Sequence, residues 1–211
     1  MLNKMKDAER AANTFDSIAG HFDKTRNRPW EPVVKFIEKI GDGDGTLLDL
    51  GCGNGRHTEV AVERGVDTIG LDASMSLLNI SKKKIPVAQF LRGDIKKLPF
   101  SDEAFSDVIY IAAIHHLSEG RVESLREAKR VLKPGGSVLV SAWARELDRW
   151  DLEEGEGEII VPWHRDDGVV IERYYHLYRL DELKKDVAES GLKVIDAFRE
   201  GGNNYVKASK I

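Results

Sequence analysis

Three things are scarce in this chain of 211 residues, and each scarcity excludes a class of protein. It holds one cysteine, Cys52, so no internal disulfide framework is possible and a reducing cytoplasm is the expected setting. No apolar run approaches the roughly 20 residues that span a bilayer, so no membrane association is expected. The opening stretch, Met1 to Phe15, mixes charges with small residues and lacks the apolar core of a signal peptide. An excess of positive charge is also missing: 32 Lys and Arg face 36 Asp and Glu, for a net charge of −4. Bulk charge therefore does not announce a nucleic-acid partner, although a local basic patch is compatible with it. What is present, 41% hydrophobic and 32% charged residues, is a globular composition at a length that suits one domain.

Along the chain, Ala11, Phe15, Ile18, Ala19 and Phe22 recur at helical spacing and predict an amphipathic helix over Asp7–Arg26. Arg28-Pro29-Trp30-Glu31-Pro32 breaks it and starts a second helix, whose apolar face is Val33, Val34, Phe36, Ile37 and Ile40. Together they form a helical cap over residues 1–40, followed by a flexible turn at Gly41–Gly45. Short apolar runs then alternate with helical patterns. Strands are expected at Thr46–Leu50, Asp67–Leu71, Ala88–Leu91, Ser106–Ile111 and Ser137–Ala142, and helices at about Arg56–Arg64, Ser74–Lys84 and Arg121–Leu132. Such alternation implies parallel strands with helical crossovers, a doubly wound α/β sheet. Lys133-Pro134-Gly135-Gly136 ends the last of these helices. Residues 145–168 show no clear period and are expected to form an insertion loop over the sheet edge. A strand near Val169–Leu177, a helix at Leu180–Ser190 and strands near Lys193–Phe198 and Asn204–Ala208 complete the single domain.

The chemistry concentrates in Leu47-Leu48-Asp49-Leu50-Gly51-Cys52-Gly53-Asn54-Gly55, an apolar strand that runs into alternating glycines before a helix. Glycine there permits positive φ and close approach of backbone to a ligand. Asp72, at the end of the second strand, stands where a doubly wound fold places an acid to accept from ribose hydroxyls. Asp94 follows the third strand, where a carboxylate can accept from an adenine amino group while Ile95 packs on the ring. A dinucleotide fingerprint would need glycine at position 56, which is Arg56, and the Gly-Lys-Ser/Thr of a P-loop is absent. Ile111-Ala112-Ala113-Ile114-His115-His116 closes the fourth strand, at the end where ligands bind, so one or both histidines are expected in the cleft. Adjacent histidines do not make a metal pair, and no metal is expected.

The D-x-G-C-G-x-G run of Asp49 to Gly55, with Asp72 and Asp94, resembles class I S-adenosylmethionine-dependent methyltransferases from about Thr46 onward. The resemblance implies their seven-stranded, mostly parallel, Rossmann-like fold and S-adenosylmethionine as cofactor. It implies that Asp49, Gly51, Gly53 and Asn54 hold the cofactor's amino-acid end, and that Asp72, Asp94, Ile95 and Ala112 hold the rest.

Further stretches resemble the transfer-RNA wobble-uridine carboxymethyl methyltransferases. These are Phe15 to Arg26 with Arg28-Pro29-Trp30, Ile114-His115-His116-Leu117, Val140 to Ala144, Ile160-Val161-Pro162-Trp163, and Arg173 to Tyr178. That family esterifies the carboxylate of 5-carboxymethyluridine and commonly acts with a small zinc-binding activator. The activator would pair with an edge strand, here Val87–Leu91. A carboxylate is already ionised at neutral pH and needs no strong base, but it needs orientation, for which a forked arginine contact suits. Arg26 and Arg28 are the candidates, with His115 and Trp143 placed around the same cleft and Trp143 and Trp163 available to stack a base. The lysines of 82–84 and 96–97 are candidate phosphate contacts. The family's Gly-Asn-Trp-type segment is here Gly202-Asn203-Asn204-Tyr205, with the aromatic displaced. A quinone-type small-molecule methyltransferase is the alternative; a non-catalytic nucleotide-binding module and a dehydrogenase fit less well.

Overall fold

The computed structural model describes residues 6–40, 45–146, 150 and 157–211. Of the expected turn at 41–45 only Gly45 falls among these, and much of the expected insertion loop, 147–149 and 151–156, lies outside them. The helices are α1 (Asp7–Thr25), α2 (Glu31–Ile37), α3 (Arg56–Glu63), α4 (Met75–Lys84), α5 (Arg121–Val131) and α6 (Leu180–Glu189). The strands are β1 (Thr46–Leu50), β2 (Asp67–Asp72), β3 (Gln89–Arg92), β4 (Phe105–Ile111), β5 (Leu132–Trp143), β6 (Glu158–His164), β7 (Val170–His176), β8 (Lys193–Glu200) and β9 (Asn203–Ser209).

Seven strands form one sheet in the order β3-β2-β1-β4-β5-β9-β8, in which β9 alone runs against the others. Successive residues of a strand point to opposite faces, so a strand covered on both sides must be apolar at every position. In β4, Val108 and Tyr110 join Leu125, Ala128, Leu183 and Val187 of α5 and α6 on one face. Ile109 and Ile111 join Val33, Phe36, Val60 and Ala61 of α2 and α3 on the other. This double winding is what the alternating pattern predicts. Strand order reverses between β1 and β4, and the crevice beyond their carboxyl ends is where such sheets bind ligands.

Two expectations need correction. Strand β5 begins at Leu132, which pairs with Phe105; a shift in register then carries the strand past Lys133–Gly136 to the Asp107↔Ser137 pair. Gly135 and Gly136 are tied by backbone bonds with Lys210, so the Pro-Gly-Gly segment is held against the sheet as well as turning the chain. The expected loop is also in part a strand: Glu158–His164 pairs antiparallel with β7 as a two-stranded hairpin separate from the main sheet. Pro162 sits inside that strand without conflict, since a two-stranded ribbon leaves each strand one open edge. The hairpin does not cover a sheet edge. Its β7 packs against α1 and the 3-10 turn Ile114–His116, above the carboxyl ends of the strands.

Helix α1 is clipped across the same ends by three aspartates. Ser118 donates its hydroxyl and backbone N–H to Asp7 Oδ1 at 2.6 and 3.1 Å, Arg10 pairs with the same oxygen, and Lys96 donates to Oδ2 at 2.9 Å. Asp16 accepts from the Ser74 hydroxyl and the Ser76 N–H at 2.6 and 2.8 Å. Asp23 accepts from Asn54 at 2.8 Å and pairs with Lys84. Lys84 and Lys96 are thus occupied in holding the cap.

Candidate active site

The glycine loop after β1 takes its shape from backbone that a side chain would oppose. Gly51, Gly53 and Gly55 have φ of 71°, 57° and 79°. A Cβ on Gly51 would stand 2.4 Å from that of Ala113. Ala112 itself carries φ 52°, a rare conformation outside glycine, held by bonds from its N–H to the carbonyl and hydroxyl of Ser141. These constraints open a cleft under α1, lined by the glycine loop, Asp72, Ala112, Ala113, His115 and His116, with Phe15 and Phe22 as its roof. From Gly51 and Asp72 a narrower pocket continues to Gly93, Asp94 and Ile95 beneath Ala8, Ala11 and Phe15.

The donors and acceptors along this path fit the expected cofactor. Asp72 accepts from the Gly53 N–H at 2.9 Å and the Ser74 N–H at 2.8 Å, one on each oxygen, and each oxygen keeps a lone pair for a ribose hydroxyl. Burial raises its pKa against these bonds. Asp94 accepts from the Lys96 N–H at 2.8 Å, and Ile95 lines the flat pocket beside it. Asp49 does not line the cleft. It is buried behind the loop, accepts from the Thr58 hydroxyl at 2.7 Å, and burial pushes its pKa up to about 7. The Asn54 amide is turned away to hold the cap, donating to Asp23 and to the Arg26 carbonyl at 3.0 Å.

Both histidines line the cleft and both are neutral. The Trp143 N–H donates to His115 Nδ1 at 3.0 Å, leaving the ring proton on Nε2, and burial holds its pKa well below the usual value. His116 Nδ1 lies 3.1 Å from the Tyr174 carbonyl, which only accepts, so the proton there is on Nδ1; burial lowers its pKa to about 4. Trp143 stacks on Tyr175 at 4.2 Å and on Trp150 at 5.7 Å. Trp163 has Arg173 and Arg26 over its ring, at 4.6 and 5.4 Å. Trp143 therefore lines the cleft, Trp163 packs behind Arg26 and Arg173, and neither stands as an open platform for a base.

Arg26 lines the cleft, is exposed, and donates to the Thr25 carbonyl; Arg28 does not line it. Two arginines without an expected role do. Arg56, read from the sequence only as the residue that breaks a dinucleotide motif, lies 4.4 Å from the Trp30 ring, with its pKa lowered by burial to about 10. Arg173, known beforehand only as part of a family-like stretch, is buried and donates to the Tyr175 hydroxyl at 2.6 Å. Its signal was present: Arg173 and Tyr175 alternate on the inward face of β7, and a charge at an inward strand position calls for a reason.

A family model described as a methyltransferase domain matches residues 48–140. A methyltransferase of Encephalitozoon cuniculi is 34% identical over 86% of this chain and 86% of its own length. The tRNA (carboxymethyluridine(34)-5-O)-methyltransferase of Schizosaccharomyces pombe is 30% identical over 96% of each chain. Among solved structures, the Haloferax volcanii methyltransferase in complex with the Trm112 methyltransferase activator matches with a TM-score of 0.73. That match covers 94% of this chain and 96% of the other at 18% identity, a likeness of fold. With its glycine loop, paired strand-end acids and full-length relatives, the chain belongs to the class I S-adenosylmethionine-dependent methyltransferases, in the family of the tRNA carboxymethyluridine methyltransferases.

Proposed function

We propose that this protein esterifies the carboxylate of 5-carboxymethyluridine at the wobble position of transfer RNA, the reaction named for its fission-yeast relative. One observation carries the reading: Arg26, Arg56 and Arg173 converge on one cleft, and none forms an ion pair with a carboxylate among the described residues. A quinone-type substrate would want an apolar enclosure, and three cations beside the reacting end oppose it. Exposed Lys24, Arg26 and Arg28 at the end of α1 and just beyond it favour an RNA backbone approaching the mouth.

Bound S-adenosylmethionine supplies a sulfonium methyl, an electrophile that needs no activation. The protein's residues orient and desolvate the attacking carboxylate. Arginine forks fix its plane. Phe15, Phe22, Trp143 and Tyr175 keep water out. Neutral His115 serves as a hydrogen-bond donor through Nε2, and no base is required because a carboxylate carries no proton at neutral pH.

The activator reading rests on β3. It is one of the two edge strands of the sheet, with Val87 79% exposed just before it, and an open edge of this kind invites strand pairing. The Haloferax volcanii complex with Trm112 supports a partner of that kind here. The chemical class of the product is a direct test. Methyl label transferred to tRNA should be released by mild alkali, as an ester is; alkali-stable label would mean methylation of nitrogen, carbon or ribose and would sink the reading.

A further inference from the structure

We infer that Arg173, rather than Arg26, is the group that reads the substrate carboxylate, an assignment that rests on the proposed carboxylate substrate. Arg173 lines the cleft at 6% exposure, and its Nε is buried with no hydrogen-bond partner among the described residues. Among the described residues Nη1 alone is engaged, donating to the Tyr175 hydroxyl at 2.6 Å, which leaves donors of the guanidinium unused. The rings of Trp163 and Tyr175 lie 4.6 and 5.1 Å from its central carbon and fix its plane. Trp163 is fixed in turn by donating Nε1–H to His21 of the cap at 3.2 Å. Cap and hairpin thus immobilise a cation that has no counter-charge among the described residues. Burial without an anion is unfavourable for such a group, as the lowering of its pKa reflects, and an arriving carboxylate completes the site. Arg26 is exposed and bonded to its own neighbour, so it acts as a charge at the mouth that favours any anionic RNA.

The experiment reads binding, not turnover. Protein loaded with S-adenosylhomocysteine is titrated with an anticodon stem-loop carrying 5-carboxymethyluridine, and with the same stem-loop carrying the uncharged 5-carbamoylmethyl group. The wild type should prefer the carboxylate at least tenfold. Arg173→Met should reduce that preference to within twofold while holding S-adenosylhomocysteine affinity within threefold of wild type. Arg173→Lys should keep only part of the preference, because a point charge lacks the planar fork. Arg26→Ala should weaken both stem-loops together and keep their ratio. A full preference in Arg173→Met, or its loss in Arg26→Ala alone, overturns the assignment. If Arg173→Met fails to bind the cofactor product, Arg173→Lys decides: a preference unchanged from wild type overturns the assignment. A wild type that binds both stem-loops equally, or neither, removes the carboxylate reading itself and this assignment with it.

Discussion

Removing the Asp7 charge should loosen the cap over the Asp94 end of the cleft. Burial opposes ionisation of Asp7, but the bonds from Ser118 and Lys96 and the charge of Arg10 outweigh it and hold the pKa at about 2, against an ordinary value of 3.8. That gap corresponds to about 2 kcal/mol of docking energy at neutral pH. Because the folded pKa is depressed, this stability is fully present above about pH 4 and is lost as pH falls toward 2. Asp7→Asn should therefore cut hydrogen-exchange protection of the first turns of α1 by roughly 30-fold at pH 7. Lys96 and Arg10 lose their counter-charge at the same time. In the wild type, acidification through the same range should loosen α1 with a contribution from Asp16 and Asp23, whose pKa values are also lowered; the Asp7→Asn protein should show a shallower response. Protection of α1 amides within twofold of wild type in Asp7→Asn at neutral pH would refute the latch.

Asp49 predicts the opposite sign. Its pKa is raised by burial to about 7, so its contribution to stability is lost as pH rises from about 4 through 7, and Asp49→Asn should raise the melting temperature of the cofactor-free protein at pH 8. Gly51→Ala should weaken S-adenosylmethionine binding at least tenfold by calorimetry, since the added Cβ meets Ala113 at 2.4 Å and φ is positive; unchanged affinity would show that the loop adapts. Asp72→Ala should weaken the same binding by about 1–3 kcal/mol through loss of ribose hydrogen bonds. With His115 and His116 neutral, kcat should show no histidine inflection between pH 6 and 8, and a bell centred there would mean a base is at work.

The sheet was legible because its strands are covered on both faces. Continuous apolar runs such as Val108–Ile111, and strands that end at Gly51 or Asp72, leave little freedom in assignment or order. The same holds for the placing of Asp72 and Asp94 at the strand ends, since each follows its strand directly. The hairpin was obscured because β6 combines Pro162 with alternation against a partner outside the main sheet. The roles of Asp49 and Asn54 depend on which way their side chains turn. Asp49 faces Thr58 and Asn54 faces Asp23, a choice made by α3 and the cap rather than by the local motif. The lysines at 84 and 96 read as candidate phosphate contacts until their partners, Asp23 and Asp7, arrive from residues far away in the chain. Arg173 was hidden for the same reason: a clamp between Trp163, Tyr175 and the cap exists only once hairpin and cap meet.

The proposed reaction modifies one carboxylate in one nucleoside, and a paired substrate measures it directly. Two anticodon stem-loops that differ only at the wobble base, 5-carboxymethyluridine in one and uridine in the other, are incubated with S-adenosylmethionine and the protein. A purified protein of the proposed activator class is present in a parallel set, and the nucleosides are resolved by mass spectrometry. The account predicts a gain of one methyl group on the carboxymethyl nucleoside alone, as its methyl ester, with the uridine stem-loop unchanged. Methylation of both stem-loops, or of neither in both sets while the protein methylates an apolar small molecule, would contradict it.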